Sequence, residues 1–191
     1  MTILFAHFDT AIGRCAIAWS ARGVVGVQLP ESDEAKTRSR VLQRFPDALE
    51  TVPPPEVAAA RDALAGLLRR MLRDLSSVRL DMDALPPFHC RVYEAARAIP
   101  WGATTTYGAL AKVAGAAGAA RAVGQALARN PFALIVPCHR VVAAGGKIGG
   151  FSAHGGITIK LRLLAIEGHE SAAQANRAQG LFDDPRATVR M

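Results

Sequence analysis

Hydrophobic and polar positions change their rhythm near residue 86. Before it, Ile3 to Phe8, Ile12 to Trp19 and Gly23 to Leu29 are alternating or continuously apolar. Such stretches predict strands, with Gly13 and Ala21-Arg22-Gly23 as turns between them. The charged stretch Glu31 to Arg44 predicts a surface helix, and Val52-Pro53-Pro54-Pro55 a rigid turn or linker. From Glu56 to Leu75 the apolar spacing is helical. Val57, Ala60, Leu64, Leu67, Leu68, Met71 and Leu72 share one face, while Arg69, Arg70 and Arg73 read as a solvated face. Ser76 to Leu85 reads as a short strand or connector, and Pro86-Pro87 as a boundary.

Beyond that boundary the pattern is mainly helical. Phe88 to Ile99 predicts a helix ending before Pro100-Trp101-Gly102. Thr106 or Tyr107 to Val113 predicts a second, and Ala119 to Arg129 a third, joined by Gly115-Ala116-Ala117-Gly118. Two short helices around a glycine-bearing turn form a helix-turn-helix pattern, which many helical hairpins share. Asn130-Pro131 stops the third helix. The apolar run Phe132 to Val136 predicts a short buried strand. A glycine-rich loop, Ala143 to Gly156, precedes a last helix, Ile157 to Glu167, capped by Gly168. The expected class is α/β (α+β). A small sheet-with-helix domain spans 1–85, a mainly helical domain 86–168, and a tail without apolar period 169–191.

Half of the 191 residues are hydrophobic, enough for a buried core, and no apolar run approaches the ~20 residues that span a bilayer. The N-terminus lacks a basic segment followed by an apolar one, so no secretory signal and no membrane partner are expected. Cys15, Cys90 and Cys138 are odd in number and widely spaced, which fits free thiols in a reducing, cytoplasmic setting. Charge sharpens the picture. The net charge is +7. Residues 1–85 hold 11 Lys+Arg and 11 Asp+Glu, residues 170–191 hold 3 of each, and residues 86–169 hold 9 Lys+Arg against Glu94 and Glu167 alone. The whole positive excess therefore lies in the mainly helical part, as expected for binding a polyanion, nucleic acid foremost.

That same part contains Pro137-Cys138-His139-Arg140-Val141. A thiol nucleophile needs a base or a positive field to ionise, and this pentapeptide places both beside Cys138. The pentapeptide, with Asn130-Pro131 and Ala120-Arg121-Ala122-Val123-Gly124 before it, closely resembles the O6-alkylguanine-DNA alkyltransferases, or methylated-DNA–protein-cysteine methyltransferases. The likeness continues in Ile99-Pro100-Trp101-Gly102, Thr106-Tyr107-Gly108, Gly149, Phe151-Ser152, Gly155-Gly156, Lys160 and Leu163 to Gly168. It covers residues 86–168 strongly and 1–85 only in general pattern.

The resemblance implies direct reversal of DNA damage. The protein would bind double-stranded DNA on the minor-groove side and flip the alkylated base out of the stack. It would then move a methyl or larger group from O6 of guanine, secondarily from O4 of thymine, onto Cys138, once per molecule. No cofactor and no catalytic metal are implied. His139 would be the general base, acting through a water, and Glu167 would orient it. Asn130 would hold the active-site turn. Tyr107, Val141, Phe151 and Ser152 would line the pocket. Arg121 would enter the duplex in place of the flipped base, with Ala122, Gly124 and Gln125 close to the DNA backbone. Arg140 and Lys160 would support the structure, and a monomer is expected. Three features depart from the pattern: Phe151 where many relatives have tyrosine, an apparent Ala153-His154 insertion in the pocket loop, and the longer tail. Some relatives carry an N-terminal zinc. His7, Cys15, His89 and Cys90 lack a ligand spacing, so none is expected here. Two rival readings are a lesion-binding protein that performs no transfer and a transcription regulator.

Overall fold

The computed structural model describes residues 2–169; the expected tail lies outside the described residues except for His169. The first part is a four-stranded sheet in the order β3-β2-β1-β4. Its strands are β1 (Leu4–Thr10), β2 (Gly13–Ser20), β3 (Gly23–Gln28) and the two-residue β4 (Leu49–Glu50). β1, β2 and β3 are antiparallel neighbours, and β4 joins the free edge of β1 in parallel. β2 is buried on both faces, which explains its nearly unbroken apolar sequence. Cys15, Ile17 and Trp19 face the main core, and Ala16 and Ala18 face a smaller cluster with Phe5, Val25 and Val41. Val41 belongs to α1 (Glu34–Arg44), which begins where the Asp33 side chain accepts the Lys36 N–H at 2.8 Å.

α2 (Pro55–Leu68) is shorter than its apolar spacing predicts. Arg70 adopts a left-handed conformation, φ 62°. Its N–H donates to Leu67 O at 3.1 Å, and the Met71 N–H donates to Gly66 O at 2.9 Å. This Schellman geometry turns the chain away, so Met71 is 79% exposed although the helical face predicted it buried. A non-glycine residue in this region costs about 1 kcal/mol.

The second part contains α3 (Pro87–Arg97), α4 (Tyr107–Val113), α5 (Ala120–Ala128) and α6 (Gly156–Ile166). The two-residue strands β5 (Thr105–Thr106) and β6 (Val141–Val142) pair in parallel beneath them. One apolar core runs across Pro86-Pro87, joining β2 and α2 to α3, α5 and the loop after α5. Tyr93 of α3 is fully buried at its centre and donates its hydroxyl to Ala126 O at 2.8 Å. Among the described residues no helix is long and apolar enough to cross a membrane.

Phe132 to Val136 is a buried turn, not the expected strand. The Val136 N–H donates to Phe132 O at 2.8 Å, and Leu134 sits at φ 71°. Only single bridges form, one of them between Phe132 and Val27. All-apolar runs do not distinguish strand from buried turn by periodicity, and here Asn130 decides the outcome. Its side chain donates to Val136 O and accepts from the Phe132 N–H, both at 2.9 Å, which closes the turn at its two ends.

Candidate active site

The turn closed by Asn130 delivers Pro137 into a single 3₁₀ turn, Cys138–Arg140, with the Arg140 N–H on Pro137 O at 2.9 Å. Successive side chains of a strand alternate between faces, whereas those of a 3₁₀ turn fan out by about a third of a revolution each. Cys138 faces open cavities, and His139 and Arg140 both turn inward onto Glu167.

Glu167 lies one residue past α6, with its side chain 1% exposed. Its Oε1 is 2.8 Å from His139 Nε2 and 2.8 Å from Arg140 Nη2, and Arg140 Nε donates to Oε2 at 2.9 Å. Arg140 also donates to Ile99 O at 2.6 Å and lies 5.9 Å from the Trp101 ring centroid. Arg140 thus supports the structure from inside the acid–base cluster, a place that sequence reasoning did not assign it. Gly102, at φ 72°, donates its N–H to Glu167 Oε2 at 3.3 Å, and a Cβ there would stand 3.0 Å from Glu167 O. Burial alone would push the Glu167 carboxyl up, but the His139 hydrogen bond and Arg140 hold it at about 2.

A carboxylate can only accept, so His139 Nε2 carries the proton shared with Glu167. Burial holds the imidazole below its ordinary value, partly offset by Glu167, so the ring is neutral near pH 7. Nδ1 then presents a lone pair. It is buried and has no hydrogen-bond partner among the described residues.

Cys138 is half-buried. Burial pushes its thiol up, opposed by a hydrogen bond from the Asn130 side chain and by the charge of Lys160. Lys160 is fully buried, donates to Val141 O at 2.6 Å and Gly150 O at 3.4 Å, and is pushed down by burial to about 8. It pins the pocket loop to β6. The side chain of Val141, expected to line the pocket, is fully buried in the core, and its carbonyl accepts from Lys160.

Two cavities meet at Cys138. One, of about 250 Å³, is lined by Tyr107, Gly124, Leu127, Ala128, Gly150, Phe151 and Ser152. The other, of about 400 Å³, opens toward the sheet part and is lined by Gln28, Glu31, Arg40, Gln43, Arg44 and Ala153 among others. His154 places its Nδ1 3.5 Å from Oε2 of Glu31, one of the residues lining this second cavity. Sequence reasoning missed this contribution of the sheet part, whose side chains reach the site only through tertiary packing. Tyr107 opens α4, where the Thr106 hydroxyl accepts the Ala109 N–H at 3.1 Å. Burial raises the Tyr107 phenol, with the nearby Cys138 adding to it, so the hydroxyl keeps its proton. Gly149 is required beside it. Its φ is 74°, and a Cβ would meet the tyrosine ring at 3.3 Å.

α4 and α5 pack as neighbours around the 114–119 turn. Arg121 and Gln125 are exposed on α5, Ala122 and Gly124 are half-buried beside them, and Val123, Ala126 and Leu127 face the core. No group of three or more His, Cys, Asp or Glu side chains gathers among the described residues to hold a metal ion.

Residues 87–169 match the family model for the DNA-binding domain of 6-O-methylguanine DNA methyltransferase. A methylated-DNA–protein-cysteine methyltransferase of Mycobacterium bovis is 39% identical over 148 residues, spanning 77% of this chain and 86% of that protein. Its counterpart in Mycobacterium leprae is 43% identical over 117 residues, spanning 61% and 70%. The crystal structure of Mycobacterium tuberculosis OGT in complex with DNA superposes with a TM-score of 0.69 at 33% identity, covering 88% of this chain and 94% of that one.

Proposed function

The chain belongs to the family of methylated-DNA–protein-cysteine methyltransferases, whose reaction is direct reversal of DNA alkylation, and we propose that Cys138 is its alkyl acceptor. Residues 86–168 would carry both DNA binding and transfer. α4 and α5 act as a helix-turn-helix, with α5 against the duplex. Arg121 fills the place of the flipped base, because a planar guanidinium can stack and donate at once. The flipped O6-alkylguanine enters the cavity of about 250 Å³ between Tyr107, Gly124 and Phe151.

The observation that carries this reading is the lone pair of His139 Nδ1, buried and without a hydrogen-bond partner among the described residues, in the residue next to a cysteine that lines an open cavity. A water between Nδ1 and Sγ passes the thiol proton to the imidazole, and Glu167 stabilises the imidazolium that forms. The sulfur then attacks the carbon on O6. The S–C bond forms, the C–O6 bond breaks, and its electron pair stays on the purine. The Tyr107 hydroxyl donates a proton to neutralise that charge and is reprotonated from solvent. The Ser152 N–H supports O6.

Mixing the protein with a duplex containing O6-methylguanine, then digesting it for mass spectrometry, tests the assignment. The Cys138 peptide should gain the mass of one methylene. Tight binding with no adduct would reduce the protein to a lesion-recognition module.

A further inference from the structure

Arg70 occupies the one position of α2's Schellman motif where glycine is the preferred residue, and it holds a left-handed conformation there. Its side chain explains the choice. Nε donates to Ile166 O at 2.5 Å and Nη2 donates to Ala165 O at 2.9 Å. These are the last carbonyls of α6, the peptide units directly before Glu167. The end of one helix in the sheet part thus grips the end of the helix that supplies the acid–base cluster's carboxylate. Gly102 closes on Glu167 from the other side, its Cα so near that a Cβ would stand 3.0 Å from Glu167 O.

We infer that Arg70 is a positioning residue for alkyl transfer: its two-pronged grip on α6 fixes the backbone from which Glu167 reaches His139. The inference rests on the proposed reaction, but its structural half stands without it. Glu167 must meet two partners at once, both at 2.8 Å, from a residue already beyond the last helical turn. The α6 end is already capped by Gly168, whose N–H donates to Ala165 O at 3.1 Å, and by the His169 N–H on Leu164 O at 3.0 Å; Arg70 adds a second donor to Ala165 O and binds Ile166 O, which no backbone N–H of the described residues reaches. Misplacement by about 1 Å costs on the order of a hundredfold in rate. Bidentate donation by guanidinium fixes orientation as well as distance. Arg162 adds a second tie, donating from α6 to Ala11 O at 2.8 Å, but it lies a turn earlier and does not hold the terminal peptide units.

Arg70→Gly is the discriminating variant, since it keeps the left-handed turn without a Cβ and removes only the grip. Three quantities decide: the transfer rate to Cys138, thermal stability, and the NMR titration of the His139 ring, whose other charged neighbours are Arg140 and Lys160. We expect Arg70→Gly to fold with an unchanged midpoint, to transfer about tenfold more slowly, and to titrate His139 lower as Glu167 loosens. Arg70→Ala should match its rate while being less stable. A native rate and a native His139 titration in Arg70→Gly would overturn the inference. So would a rate loss that tracks stability across the two variants. If the parent protein itself transfers nothing, the proposed reaction fails, and the His139 titration alone still decides whether Arg70 positions Glu167.

Discussion

Each half of the molecule contains a buried carboxylate with an arginine, and a thiol that burial pushes up. In the sheet part Asp81 accepts the Ser20 hydroxyl at 2.6 Å and Arg22 Nε at 3.2 Å. Burial would raise its carboxyl, but Ser20 and Arg22 hold it low, much as His139 and Arg140 hold Glu167. Cys15 is likewise buried, and burial pushes its thiol up to about 12. Pairing and burial are therefore common to both halves and mark no site. What sets the second half apart is a surplus. An imidazole keeps one lone pair after satisfying its carboxylate, and the neighbouring thiol has space in front of it and opposing groups, Asn130 and Lys160, behind it. Asp81 ties a connector to the β2–β3 turn and leaves nothing over.

The largest test exchanges the two thiols. Cys138→Ala should abolish transfer, and Cys15→Ala should leave it complete, read by intact mass after reaction with an O6-methylguanine duplex. Alkylation of Cys15 would collapse the contrast. The carboxylates come next. Glu167→Gln should slow transfer by about a hundredfold or more in single-turnover kinetics. Stranding Arg140 should also cost about 3–5 kcal/mol in urea unfolding. Asp81→Asn should cost about 1–3 kcal/mol and leave the rate alone.

Acid sharpens the same pair. The Glu167 carboxyl falls from 4.5 to about 2 on folding, so its stabilisation is complete above 4.5 and is lost as pH falls through about 2. Thermal midpoints between about pH 6 and pH 3 should therefore drop more steeply in the parent than in Glu167→Gln. Arg121→Ala should weaken lesion-duplex binding by roughly tenfold, with less effect on undamaged duplex, by fluorescence anisotropy. Equal losses would deny Arg121 the place of the flipped base. Smallest is Lys160. Its ammonium falls from 10.5 to about 8 on folding, so the unfolded chain holds the extra proton between those values and this group's contribution to stability rises with pH there. Lys160→Met should lack that rise when its urea midpoint is compared with the parent's across the window.

Much of this was legible in the residues. Motif order placed Cys138, His139, Glu167 and Asn130 together, and Gly168, expected as the cap of the last helix, sits left-handed just past it at φ 83°. Periodicity failed where tertiary contacts override it. Phe132 to Val136 reads equally as strand or turn, and only Asn130's two hydrogen bonds decide between them. The face of α2 continues in sequence to Leu72, yet the chain turns at Arg70 because a distant helix end rewards that conformation. Glu167's attachment to Arg140 had no local signal, because it depends on the 3₁₀ turn at Cys138–Arg140 that brings His139 and Arg140 to the same carboxylate. The lining of the larger cavity by Gln28, Arg40 and Arg44 carries no local signal at all.

Glu167 stands 28 positions beyond His139. A ribosome adding about 10 residues per second leaves an interval of about 3 s in which the cysteine and histidine have been made and their carboxylate has not. For that interval the growing polypeptide carries Cys138 and His139 without the carboxylate that the folded cluster requires.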